Sequence, residues 1–111
     1  MNKNTQEIKF NLTHCDEGII VESKDTLIIE CKCNYPFILE LSKLKIDLHN
    51  VVEREIEPEF YYKSEIINIC PICNVKIATT INLYEYPSKN EKESKIRVSN
   101  GILKYIKHNN N

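Results

Sequence analysis

Four cysteines in two close pairs constrain this chain more than any other feature. Cys31 and Cys33 are separated by one residue and Cys70 and Cys73 by two, with 36 residues between the pairs. Each pair sits in the same kind of segment. Residues 28 to 37 read Ile-Ile-Glu-Cys-Lys-Cys-Asn-Tyr-Pro-Phe, and residues 66 to 77 read Ile-Ile-Asn-Ile-Cys-Pro-Ile-Cys-Asn-Val-Lys-Ile. Both run from an apolar pair through two cysteines and an Asn into a new apolar stretch. The pattern predicts a strand that ends on the first Cys and a turn that carries the second. The chain then reverses at Asn34 or Asn74, because Asn tolerates a left-handed backbone better than any residue except Gly. In such a turn, backbone N–H groups can hydrogen-bond to thiolate sulfur.

Two turns of this kind facing each other place four sulfurs around one tetrahedral Zn²⁺ at about 2.3 Å. The expected ligands are Cys31, Cys33, Cys70 and Cys73. Cys70-Pro71-Ile72-Cys73-Asn74 resembles the Cys-Pro-x-Cys-Gly knuckle of the zinc-ribbon (rubredoxin-type) families, with Asn in place of Gly. Cys31-Lys32-Cys33 departs from that pattern by one missing residue, which tightens the chelate. The resemblance is confined to the residues around the four cysteines, and it implies a zinc-ribbon-like site with four cysteine ligands. Disulfides, a Cys70–Cys73 redox pair and free thiols remain as alternatives. Cysteines two apart on a strand are poorly placed to bridge each other. The redox motif normally opens a helix, whereas the following Val-Lys-Ile-Ala-Thr-Thr-Ile reads as strand. A full set of four thiolates leaves no open coordination position, so the zinc is expected to be structural.

Length and composition agree with a metal-stabilised β domain. A chain of 111 residues is one domain by size, and domains this small often recruit a metal. We read residues 1–111 as that single domain, with 1–6 and 108–111 frayed. Seventeen Ile against a single Ala (Ala78) favours strands, since β-branched side chains suit a pleated surface. The odd count of five cysteines argues against a fully paired disulfide framework. No secretion signal or membrane-spanning run is visible, so a reducing cytoplasm is expected, where grouped cysteines more often mean metal. A net charge of −1 favours neither nucleic acid nor membrane globally.

The fold class expected is mainly β, a small antiparallel sheet domain. Glu7–Thr13 alternates Ile8, Phe10 and Leu12 on one face, and Ile19–Glu22 and Thr26–Cys31 continue it as a meander. Pro36–Leu41 and Leu44–Leu48 alternate on either side of a phase change at Ser42-Lys43. Over residues 42–56 a helix competes, and strand is preferred. An acidic connection spans 53 to 59. Phe60–Cys70 and Val75–Tyr86 read as long strands, the second with Val75, Ile77, Thr79, Ile81 and Leu83 on one face. Pro87–Ser94 reads as a charged loop. Asn100-Gly101 predicts a final hairpin between Lys95–Val98 and Ile102–Ile106.

No catalytic constellation stands out, so the protein is expected to bind rather than catalyse. His14 and Cys15 are a possible extra ligand pair, or a Cys-His nucleophile without an orienting acid; a spare thiol beside a surface histidine is the simpler reading. His49 and His108 are expected to face solvent. Glu53, Glu55, Glu57 and Glu59 with Phe60, Tyr61 and Tyr62 form a candidate partner-binding patch, an acidic rim around aromatics. Its competing reading is a solvated connection leading into a buried strand. Lys89, Lys92, Lys95, Arg97, Lys104 and Lys107, with Tyr84, Tyr86 and Tyr105, offer a nucleic-acid alternative through the basic C-terminal hairpin; a solvated face competes with it. The leading expectation is a zinc-stabilised protein-interaction module. The AT-rich bias of 17 Ile, 13 Asn and 13 Lys suggests a phage or mobile-element inhibitor of a host nucleic-acid enzyme. An accessory subunit fits equally, and exposed strand edges make a homodimer possible.

Overall fold

A computed structural model describes residues 5–7, 12–42, 44–55, 57–86 and 91–107. These residues form ten strands and no helix: β1 (Thr5–Glu7), β2 (Leu12–Cys15), β3 (Gly18–Val21), β4 (Thr26–Cys31), β5 (Pro36–Glu40), β6 (Lys45–Val52), β7 (Glu59–Ile69), β8 (Lys76–Glu85), β9 (Glu91–Ser99) and β10 (Gly101–Lys107). None of them is a helix long and apolar enough to cross a membrane. All pairings are antiparallel. Seven strands form one sheet in the order β1-β9-β8-β7-β6-β3-β2, and three form a second in the order β10-β4-β5.

The alternating sequence pattern decides which face of each strand is buried. Along β8, Ile77, Thr79, Ile81, Leu83 and Glu85 are buried while Lys76 and Asn82 are exposed. One core joins both sheets: Ile19, Val21, Ile46, Ile77, Ile81, Leu83, Ile96 and Val98 from the larger, Leu27, Ile29 and Leu103 from the smaller. Fully burying a side chain of this size stabilises by about 1.5–3 kcal/mol before entropy is set against it. The large sheet also coils on itself. His14 on edge strand β2 reaches Glu85 on β8 at 2.7 Å, although three strands separate them in sheet order.

Several expectations are corrected. The meander breaks after β3, because Ser23–Asp25 carries the chain into the other sheet and β4 pairs with β5 and β10 instead. Asn100-Gly101 is not a hairpin turn. Asn100 has φ 65° but Gly101 is not left-handed, so the doubly left-handed turn is not formed. The chain switches sheets there, and β10 pairs with β4. Glu91–Ser94 begins β9 instead of lying in a loop. Thr5 and Gln6, within the segment expected to fray, pair with Arg97 and Ile96. Residues 45–52 form strand, as preferred over helix. Ile8, Phe10, Lys43, residues 87–90 including Lys89, His108 and Asn109–Asn111 lie outside the described residues.

Two positions expose local costs of this packing. A Cβ on Gly18 would run into the Ile46 carbonyl oxygen of the neighbouring strand. Thr79 Oγ1 is enclosed and has no hydrogen-bond partner among the described residues. Gly18→Ala is therefore expected to destabilise by about 1–3 kcal/mol. Thr79→Val is expected to stabilise by about 1 kcal/mol, since it removes an unsatisfied buried hydroxyl at equal shape. Denaturant midpoints of both variants check the signs, and a Thr79→Val midpoint below that of the parent protein contradicts the second.

Candidate metal centre

Each cysteine pair sits in a hairpin turn, and the two hairpins belong to different sheets. The first turn, residues 32–35, joins β4 to β5 in the three-stranded sheet; the second, residues 70–75, joins β7 to β8 in the seven-stranded one. Asn34 and Asn74 have φ of 75° and 63°, the left-handed conformation expected from sequence. The backbone closes both turns alike. In the first, the Cys31 N–H donates to the Tyr35 carbonyl and the Asn34 N–H to that of Cys31. In the second, the Cys70 N–H donates to Val75 and the Asn74 N–H to Cys70. The one-residue-shorter Cys31-Lys32-Cys33 turn thus keeps the same closure.

These turns bring the four sulfurs together. Cys31 and Cys73 are 3.3 Å apart, Cys33 and Cys70 3.5 Å, and all four Sγ atoms lie within 4.8 Å of one another. A tetrahedral ion with metal–sulfur bonds of about 2.3 Å needs sulfur–sulfur edges of about 3.8 Å, so small adjustments fit the quartet to one ion. All five cysteines are free thiols. Cys31 and Cys70 are buried while Cys33 and Cys73 are exposed, which leaves the ion a way in.

The thiols of the quartet shift one another in opposite directions. Burial pushes the Cys70 thiol up, but the backbone N–H groups of Cys73 and Ile72, with Cys33 and Cys73 beside them, outweigh it and hold it at about 7. At Cys73 the Val75 N–H pulls down. Cys31, burial, Cys33 and Cys70 override that and push the thiol to about 12. At Cys33 the Tyr35 N–H likewise pulls down, and Cys70, burial and Cys31 raise it on balance. The group titrates as a set: one thiolate forms readily and then opposes the next. A metal cation bound there would remove that repulsion and let all four deprotonate.

The other residues singled out from sequence fall elsewhere. His14 and Cys15 do not join the quartet. His14 instead donates to Glu85, which also accepts the Tyr62 hydroxyl at 3.0 Å. Desolvation and the Glu85 charge hold Tyr62 well above the usual phenol range. The proposed acidic–aromatic patch is split. Glu53 and Glu55 are exposed, but Glu59 and Tyr62 are buried. Glu59 accepts hydrogen bonds from the Tyr84 and Tyr61 hydroxyls and from Arg54 Nε and Nη2. Tyr84, then Arg54, hold its carboxyl below the ordinary Glu value, and Glu59 in turn pushes Tyr84 to about 12. Tyr61 and Tyr84 stack with ring centroids 4.8 Å apart. Sequence reasoning missed this network because Tyr84 lies 25 positions beyond Glu59 in the chain. The basic C-terminal residues are also divided: Lys95 and Arg97 lie on the large sheet, while Lys104 lies on the small one beside Glu30.

Compared with known protein families, with curated proteins and with solved structures, the chain shows no significant match to any of the three.

Purified protein is expected to carry one metal equivalent, and chelation should unfold it in one cooperative transition. Structural thiolate sites hold about 10 kcal/mol or more of apparent binding free energy at pH 7, which becomes folding free energy. Cys70→Ser should lose both metal and fold, while Cys15→Ser should keep both. Acidification should release the metal, since bound thiols must be deprotonated. Elemental analysis finding less than about half an equivalent in the parent protein would sink the assignment.

Proposed function

We propose that this protein is a non-enzymatic, zinc-stabilised binding module that docks on a protein partner. The observation that supports the reading is the cluster of four cysteines drawn from the two sheets. Zinc is the ion that favours tetrahedral all-thiolate coordination with no redox role, and a filled set leaves no position for substrate. The metal therefore acts on the fold, and function falls to the surface it holds in place. A reducing cytoplasm is the compartment that keeps such thiols available for metal.

The docking surface fits the metal end better than the acidic connection. Ile67 and Ile69 on β7 and Ile72 in the second turn are 42 %, 64 % and 69 % exposed. Three solvent-facing isoleucines within six residues, on a rigid metal-bound hairpin, make an apolar patch of the kind that marks interaction sites. Glu59, by contrast, is neutralised internally by Arg54 and offers no free charge to a partner. The Ile-, Asn- and Lys-rich composition adds a specific version: a phage or mobile-element protein that docks on a host nucleic-acid enzyme.

Elemental analysis should return zinc as the bound metal. Ile69→Ser/Ile72→Ser should keep zinc content and melting temperature near those of the parent chain, yet lose the partner captured by affinity purification from the native host. An identical set of captured proteins from both forms removes the isoleucine patch as the docking site.

A further inference from the structure

The outer face of the large sheet is laid out in cross-strand rows, because residues paired in antiparallel register point to the same side. Tyr61 lies opposite Tyr84, and Lys63 opposite Asn82, which in turn faces Lys95. Arg97 lies between Thr80 and Thr5. Two open hollows occupy this face and meet at Asn82 and Lys95. The first, of about 800 Å³, is walled by Tyr61, Tyr84, Lys63 and His49. The second, of about 700 Å³, is walled by Lys32, Arg97, Thr5 and Ser99. Each lies within the range of a small-ligand site, about 300–1,000 Å³.

The chemistry of the two hollows differs and is complementary. The first presents a stacked aromatic pair. Its rings are fixed before any ligand arrives, since both hydroxyls are tied to Glu59 and Glu59 to Arg54; such preorganisation lowers the entropy lost on binding. The second presents cations and hydroxyl groups. Among the described residues no carboxylate lines either hollow. Four acids share the face by register, Glu7 opposite Lys95, Asp47 opposite Lys63, Glu65 opposite Thr80 and Glu93 opposite Tyr84, and the first three stand outside both walls. Lys32 reaches the second hollow because it is the one residue between the ligands Cys31 and Cys33, and Cys31 lies opposite Gly101 in the same wall. The metal turn thus supplies a cation to this surface.

We propose that the joined hollows bind single-stranded nucleic acid, with an unstacked base against the Tyr61–Tyr84 pair and successive phosphates along Lys63, Lys95, Arg97 and Lys32. An aromatic platform beside a line of cations is the combination that single strands use. A free phosphate leaves the tyrosines without a role, an acidic peptide brings charge without planar rings, and a duplex keeps its base faces covered. The surface is separate from the isoleucine patch and goes beyond the docking reading; the two share only the metal clamp.

The test is fluorescence anisotropy of labelled oligothymidylate and oligouridylate, each about a dozen nucleotides long, titrated with zinc-loaded protein at several salt concentrations. Binding of either strand at low salt is expected, with log K falling against log salt by about 0.7 for each phosphate neutralised. The stronger of the two shows whether DNA or RNA is preferred. Arg97→Gln and Lys32→Gln should each weaken binding several-fold and lower the slope by about 0.7. Lys32→Arg should restore it. Tyr61→Leu should weaken binding about tenfold while leaving the slope unchanged. Zinc content and circular dichroism accompany every variant, so a chain that has lost its fold is not counted. Zinc-loaded, folded protein that leaves both strands free at low salt overturns the proposal and leaves the structural role of the metal intact. So does displacement by polyglutamate as effective as that by unlabelled strand, or Arg97→Gln and Tyr61→Leu binding like the parent protein.

Discussion

Everything at one end of this molecule depends on four thiols that approach each other from two different sheets. Neither hairpin holds the quartet alone: Cys31 and Cys33 come from the small sheet, Cys70 and Cys73 from the large. Each turn gathers backbone N–H groups around sulfur, which favours thiolates, and four thiolates at this spacing repel. A metal cation bound there would offset that repulsion and would tie segments 36 residues apart, a useful constraint in a chain whose size limits how much apolar surface it can bury.

The far end of the β7–β8 ladder is held by different chemistry. Nine paired positions, about 30 Å at strand rise, separate the second cysteine turn from the Phe60–Glu85 pair. There two buried carboxylates do the cross-linking. Glu59 gathers Arg54, Tyr61 and Tyr84, and Glu85 gathers Tyr62 and His14 from the opposite edge of the coiled sheet. A buried carboxylate is costly unless its oxygens are matched by donors, and both of these are. The long hairpin is thus clamped by sulfur at one end and by charge-assisted hydrogen bonds at the other.

The sequence was most legible where the deciding physics is local. Asn34 and Asn74 signal left-handed reversals on their own, and the alternation from Val75 to Leu83 marks a half-buried strand regardless of its partners. Legibility failed where a distant strand decides. Asn100-Gly101 carries the local signature of a hairpin. Yet the competition is won by pairing of β10 with β4, some 70 residues earlier in the chain, and by the Asn100 amide donating to the Lys76 carbonyl. Glu59 reads as one of several acids in an exposed run, and its burial becomes tolerable once Tyr84 arrives from β8 beside Arg54 and Tyr61. The four-cysteine cluster could be read from sequence because its members announce their turns, while Tyr84, Lys95 and Arg97 could be named but not arranged, because their rows exist only once the strands are in register.

The sheet switch at Asn100 has a consequence for how the chain is made. β4, which ends on Cys31, takes one neighbour from the next strand in sequence and the other from β10, the latest strand described. During synthesis, Cys31 and Cys33 emerge early, and Cys70 and Cys73 follow well before β10. All four ligands can thus meet a metal while one flank of β4 still lacks its partner. Early capture of the ion would then fix the two sheets against each other and leave an open edge waiting for β10, which makes metal loading an ordering event in folding as well as a contribution to final stability.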